Sequence, residues 1–226
     1  MPRVPSSLIK DYRTALRDFV VTFRTRVKLI IDTYGDILSI RSIDAFNKEL
    51  LSAVHFVTNR AKLKSKAIIT NLVQNAEFHA KRELKRVYGK DAEFFTPIPN
   101  DVLLFAEKSY DEEIEHMGID LQENIKRTVR AGVMDGLSIQ QITTMLHAVY
   151  KTGWSNAERI ARTETARMWS IIMEERYKQM GVIEFEWITS GDARVCKICK
   201  PLNGKKFKLG ANIKLNNGKT VNIIKV

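Results

Sequence analysis

The stretch WITSGDARVCKICKPLNGKKF, Trp187 to Phe207, holds the only two cysteines of the chain, Cys196 and Cys199, in a C-x-x-C. Thiols at that spacing can ligate a soft metal, cycle through a disulfide, or pack a tight turn. A closed structural zinc site takes four Cys or His ligands. Downstream of Cys199 there is no Cys, His, Asp or Glu, and the four histidines, His55, His79, His116 and His147, lie far upstream in helical patterns. The pair is thus an incomplete zinc site, filled only if further ligands come from a partner or a distant part of the chain. A thioredoxin-like pair opens a helix in an α/β setting. Here it sits between strand patterns, which leaves the structural corner as the first reading. No cofactor is otherwise expected.

Other chemistry-bearing residues lead to the same non-catalytic expectation. Glu164 is the candidate base, but the sequence offers it no partnered nucleophile, no Gly-rich phosphate loop and no neighbouring His. The acids Asp111, Glu112, Glu113 and Glu115 follow one another on a helical pattern, so they point in different directions and read as a solvated face. The cations are more telling. Net charge is +11, with residues 1–90 holding 18 Lys and Arg against 8 acids, residues 91–190 holding 10 against 17, and residues 191–226 holding 9 against 1. Two basic ends flank an acidic middle, which suits contact with nucleic acid or an acidic protein. The residues expected to make it are Lys81, Arg82, Lys85 and Arg86 near one helix end, and Lys205, Lys206 and Lys208 in the tail. The helix-end group also complements a helix dipole with no ligand at all.

Long helices must position these groups. Leu8, Tyr12, Leu16, Phe19, Phe23, Val27 and Ile30 recur at threes and fours, predicting a helix over 6–33 with Arg13, Arg17, Arg24, Arg26 and Lys28 among them. A second helix is predicted from near Ser42 through AFNKELLSAVHFVTNRAKLK, and a third over about 65–88, stopping at Gly89. FFTPIPND, 94–101, reads as a proline-interrupted linker. Helical pattern resumes at Asp101 and stops at Gly136. Ser138 and Gln141 then form a capping box, and Ser155 with Glu158 repeats the device before a helix that ends at Gly181. After Gly181 the texture turns β-like, with Asn-Gly turn signals at 203–204 and 217–218. The expected fold is mainly α with a small C-terminal β-rich element: a basic helical arm over 1–93, a linker over 94–101, a helical body over 102–181 and the β-rich element over 182–226.

One combined pattern is specific. Ala161, Arg162, Thr163, Glu164 and Thr165 make an A-R-T-E-T helix segment; Trp187 follows in a strand pattern, then Asp192, Arg194, Val195, Cys196, Cys199, Leu202, Gly204 and Phe207. This resembles the phage head morphogenesis family, the minor head proteins like the F protein of phage Mu. The close likeness covers about 155–209, with IKRTVRAGVMDGLSIQQI upstream a weaker part of it. Members commonly continue to an H-P-x-C-R-C-like segment that can complete a Cys/His site. The residues here end at NIIKV, so the β-rich element reads as shorter or incomplete.

The resemblance implies a non-enzymatic virion protein, present in few copies inside the head near the portal vertex. Its implied partners are the portal protein and the major capsid protein or scaffold. It also implies contact with packaged double-stranded DNA up to ejection, and with no sequence-reading module visible that contact is non-specific. Arg162, Glu164, Trp187, Asp192 and Arg194 are expected to be structural, locking the A-R-T-E-T helix to the cysteine corner through Arg and Glu pairs. The alternative is a metal-dependent nucleic-acid-processing enzyme, or a transient assembly factor absent from the virion. No apolar run approaches the roughly 20 residues of a membrane span and no signal peptide is evident, so synthesis in the host cytoplasm is expected.

Overall fold

No glycine or proline interrupts residues 43–88, and the helix there does not stop. The computed structural model describes residues 4–34, 42–89, 95–193, 195, 197, 199–209, 211–214 and 220–222. Four helices dominate: α1 (Ser6–Tyr34), α2 (Ile43–Tyr88), α3 (Asn100–Met134) and α4 (Ile139–Gln179). Short strands follow: β1 (Glu184–Glu186), β2 (Lys206–Lys208), β3 (Asn212–Lys214) and β4 (Thr220–Asn222), with a 3-10 turn at Lys200–Leu202 before β2. The fold is mainly α with a small β element near the C-terminus. No described helix is long and apolar enough to cross a membrane.

Two boundaries differ from the sequence reading. The second and third predicted helices are one 46-residue helix, α2. Ser65, at the expected join, is buried and bonds back through Oγ to the Lys62 carbonyl at 2.7 Å. Likewise α4 runs straight through Gly153 and Ser155. Ser155 Oγ donates to the Lys151 carbonyl, one turn back, instead of capping a new helix. Gly153 marks a close approach: a Cβ there would stand 2.8 Å from Leu121 Cδ2 of α3.

The chain divides into two compact units that are interleaved along the sequence. The first comprises residues 1–4, 71–103 and 166–226; the second comprises residues 5–70 and 104–165. In the second, the predicted α1 stripe is buried throughout, Leu8 to Ile30. Buried in the same unit are Phe46, Leu50 and Val57 of α2, Tyr110, Ile114 and Ile125 of α3, and Ile142, Leu146 and Ile160 of α4. Burying a side chain of this size contributes about 1.5–3 kcal/mol. Between α3 and α4, Gly136 takes φ +68°, and the Leu137 N–H reaches back to the Gly132 carbonyl at 2.9 Å, closing α3. The predicted box then opens α4: the Ser138 N–H donates to Gln141 Oε1 at 2.8 Å, and the Gln141 N–H to Ser138 Oγ at 3.3 Å.

In the first unit, Leu72, Ala76 and Ala80 of α2 and Trp169, Ile172 and Met173 of α4 are buried with Ile98 of the linker. β1 pairs antiparallel with β2, Phe185 opposite Phe207, and β3 pairs antiparallel with β4. The Asn-Gly at 217–218 lies outside the described residues. The one at 203–204 does not form a two-residue hairpin loop, because β1 and β2 are separated by 19 residues that fold as their own corner.

Candidate functional site

The A-R-T-E-T segment lies within α4 and is divided by the helix into two faces. Ala161, Glu164 and Thr165 are buried; Arg162 and Thr163 are exposed. Glu164 accepts a hydrogen bond from Ser109 Oγ of α3 at 3.0 Å. Beside it, Tyr12 of α1 and Tyr110 of α3 meet edge-on with ring centroids 4.3 Å apart. Burial pushes the Tyr12 phenol well above its usual range, helped by the neighbouring Tyr110 and the Glu164 charge. Burial raises Tyr110 too, with the Thr165 hydroxyl working in the other direction. The motif's acid and second threonine therefore sit where α1, α3 and α4 meet.

The exposed half does something different. Glu158, one turn before Arg162, collects three guanidinium groups: Arg13 Nη1 at 3.2 Å, Arg17 Nη2 at 3.6 Å and Arg162 Nη2 at 3.7 Å. The i,i+4 pair of Arg162 with Glu158 is the ladder its spacing suggests. Glu158 and Ser109, which Arg162 and Glu164 engage, belong to the helical body.

The cysteine corner, residues 187–205, is closed by backbone and by one asparagine. The Trp187 N–H donates to the Lys205 carbonyl at 2.9 Å and the Gly204 N–H to the Trp187 carbonyl at 2.8 Å. Asn203 Oδ1 accepts from the Thr189 N–H at 2.8 Å and from Thr189 Oγ1 at 3.0 Å. Asp192 accepts from Ser190 Oγ at 3.2 Å, and its carbonyl takes the Val195 N–H. Cys199 is half-buried, and its carbonyl accepts the Leu202 N–H, opening the 3-10 turn. Arg194 and Cys196 lie outside the described residues. Among the described residues no three His, Cys, Asp or Glu side chains converge as metal ligands would.

Three of the predicted anion-contact residues have local side-chain partners. Lys81 pairs with Glu77 at 2.7 Å, Arg86 lies 3.8 Å from Glu83, and the Arg82 guanidinium stands 5.9 Å from the Phe78 ring centroid. Lys205, Lys206 and Lys208 are exposed. The register puts Lys208 opposite Glu184 and Lys206 opposite Glu186, cross-strand pairs of opposite charge. That complementarity of EFE with KFK was present in the sequence as a pairing signal.

Sequence reasoning missed Arg176. Its side chain is 2% exposed, yet it donates to the Thr96 carbonyl at 2.6 Å, Gln179 Oε1 at 2.9 Å and Glu77 Oε2 at 3.2 Å, with the Phe95 ring 4.9 Å away. Desolvation pulls its pKa down, opposed by the Glu77 and Glu175 charges. Nearby, Tyr177 OH donates to Glu83 at 2.6 Å. Only the proximity of 95–99 to α4 turns Arg176 from a surface arginine into the clamp of the linker.

Residues 123–219, from the second half of α3 to the edge of β4, match the sequence model of the family described as Phage Mu protein F like protein. This stretch is similar to the phage Mu F-like family. The F-like stretch contains the A-R-T-E-T segment, the cysteine corner and Glu158, in line with the phage head morphogenesis resemblance. The chain is also 26% identical over 91 residues to a protein of Enterococcus faecalis named NAD(+)--arginine ADP-ribosyltransferase EFV. That alignment covers 38% of this chain and 19% of the relative, so the chain spans about a fifth of the relative's length. No solved structure matches.

Proposed function

We propose that this chain is a minor head morphogenesis protein of a tailed phage, working inside the head near the portal vertex. It binds the portal protein and capsid or scaffold subunits during procapsid assembly and touches packaged double-stranded DNA without reading its sequence. The observation that carries this reading is the F-like match over 123–219. The net charge of +11 supports the DNA contact. The role is non-enzymatic: Glu164, the carboxylate of the motif, is buried and bonded to Ser109 at 3.0 Å, held for packing and not opened to a substrate. Mass spectrometry of gradient-purified procapsids and mature particles, with and without the portal, tests it. Few copies that disappear without the portal are expected. Absence from every particle refutes the structural role and leaves a transient assembly factor.

The name of the Enterococcus relative favours one second reading, a chain that acts with or as an arginine ADP-ribosyltransferase. Incubating the purified chain with labelled NAD+ and an arginine-rich acceptor separates the two. Transfer of label supports the enzyme; none is expected here.

A further inference from the structure

We infer that the double-stranded DNA contact lies on the outer face of α1 together with α4, and not at the two basic ends. This rests on the DNA-contact part of the proposed function. Lys10, Arg13, Arg17, Arg24 and Lys28 recur at intervals of three, four, seven and four residues, on the flank of α1 about 120° around the helix from the centre of its buried stripe. Lys10, Arg17 and Lys28 are exposed and Arg13 and Arg24 half-buried. The row spans 18 residues, about 27 Å at 1.5 Å per residue.

α4 lies antiparallel beside it: Glu158 meets Arg13 and Arg17, and Tyr150 lies under Arg24 with 5.9 Å between guanidinium and ring centroid. From that side α4 adds two exposed cations, Lys151 and Arg162. Seven cations thus share the face with Glu158, and Asp32 follows Lys28 by one turn. The other acids of α1, Asp11 and Asp18, fall about 100–120° around the helix, at 100° per residue. Asp18 is paired with Lys64 at 2.7 Å.

Three guanidiniums on one carboxylate leave a local net charge of +2. A straight cationic row with hydroxyls beside it, Thr14 and Thr163 both exposed, suits phosphate oxygens. An acidic protein is a poorer fit. A stable protein interface buries about 800 Å² per partner around an apolar centre. The large exposed apolar side chains of this face are Val21 and Trp154, 49% and 38% exposed. The location also gives the exposed Arg162 of the motif a role, while its buried neighbours hold the helices together.

The test is fluorescence anisotropy of a mixed-sequence DNA duplex with the full chain, across a salt series. Each phosphate contact contributes about −0.9 to the slope of log K against log salt. The variant Lys10→Gln/Lys28→Gln/Arg162→Gln, with all three sites on the surface, is expected to flatten the slope by about 2–3. Lys205→Gln/Lys206→Gln/Lys208→Gln is expected to leave it nearly unchanged. Glu158→Gln is expected to tighten binding, an effect of opposite sign that a loss of packing would not produce. Duplex binding that survives the first variant and fails with the tail variant overturns this location while the DNA reading stands. Wild-type chain that ignores the duplex at low salt overturns both. Polyglutamate binding that depends on the same face, with duplex binding unchanged, assigns it to an acidic protein and overturns the inference.

Discussion

Replacing Gly132 with alanine sets two effects of known size against each other. Alanine in a helix interior is favoured over glycine by about 1 kcal/mol. Against that, a Cβ at 132 would stand 2.5 Å from Ile142 Cγ1 and 3.0 Å from Cδ1. Carbon atoms pack best at about 3.5–4.0 Å, so the overlap with Cγ1 is at least about 1 Å. Ile142 is buried, 1% exposed, and its β-branched side chain has one strongly preferred rotamer in a helix, so Cγ1 cannot swing aside. Overpacking costs about 1–3 kcal/mol, an overlap this large on a locked side chain falls at about 2–3 kcal/mol, and Gly132→Ala is expected to destabilise by about 1–2 kcal/mol after the propensity gain. In a chain of this size that is a fall in Tm of about 2–8 °C by differential scanning calorimetry. Gly153→Ala is the internal comparison: its nearest atom is the outer methyl Cδ2 of Leu121 at 2.8 Å, the far end of a flexible side chain, so it should be nearer neutral. In a double-mutant cycle with Ile142→Ala, the penalty of Gly132→Ala should disappear, a coupling of about 1–3 kcal/mol. A Tm that rises on Gly132→Ala alone would refute the close approach of α3 and α4.

Tyr12→Phe should be neutral or raise stability by about 1 kcal/mol, since the buried Tyr12 hydroxyl has no hydrogen-bond partner among the described residues; urea titration reads it. Arg176→Met should cost about 2–3 kcal/mol, because it strands the Thr96 carbonyl while the half-exposed Glu77 can rehydrate; loss of protection from proteolysis across 95–99 checks it. A hydrogen bond from Lys81 holds the Glu77 carboxyl below its usual pKa of 4.5, partial burial opposes this, and the Lys81 and Arg176 charges add to it. The lowered pKa gives stability that is present above pH 4.5 and lost as pH falls through the folded value, so a Tm gap between wild type and Glu77→Gln should close on acidification below that point. Burial raises the phenols of Tyr12, Tyr110, Tyr150 and Tyr177 above their ordinary value of 10, so stability should be full below pH 10 and fall above it. Each phenol contributes up to about 1.4 kcal/mol per pH unit, and their phenolate absorbance should appear only with unfolding.

What the sequence determined by itself was local or carried by a motif. The threes and fours from Leu8 to Ile30 report a helical face because a helix repeats every 3.6 residues whatever it packs against, and all seven positions are buried. Ser138 and Gln141 close a box within one turn, so their spacing alone specified both hydrogen bonds. The segment from Ala161 to Phe207 carried the resemblance, and it lies within the stretch that matches the family model.

Tertiary structure decided the meaning of residues whose partners are distant in sequence. Ser155 read as the cap of a new helix; α4 runs through it, and Gly153 beside it is a close approach to Leu121 of α3. Glu158 read as half of a cap, but Arg13 and Arg17, 145 and 141 residues away, claim its carboxylate. Arg176 had no local signal at all, because its burial depends on residues 77 and 95–96 folding over it. Counting charge along the chain points to the two ends; only the fold brings the cations of α1 beside α4. Charge is a property of the sequence, but a surface field depends on which opposite charges the fold places within a few ångströms.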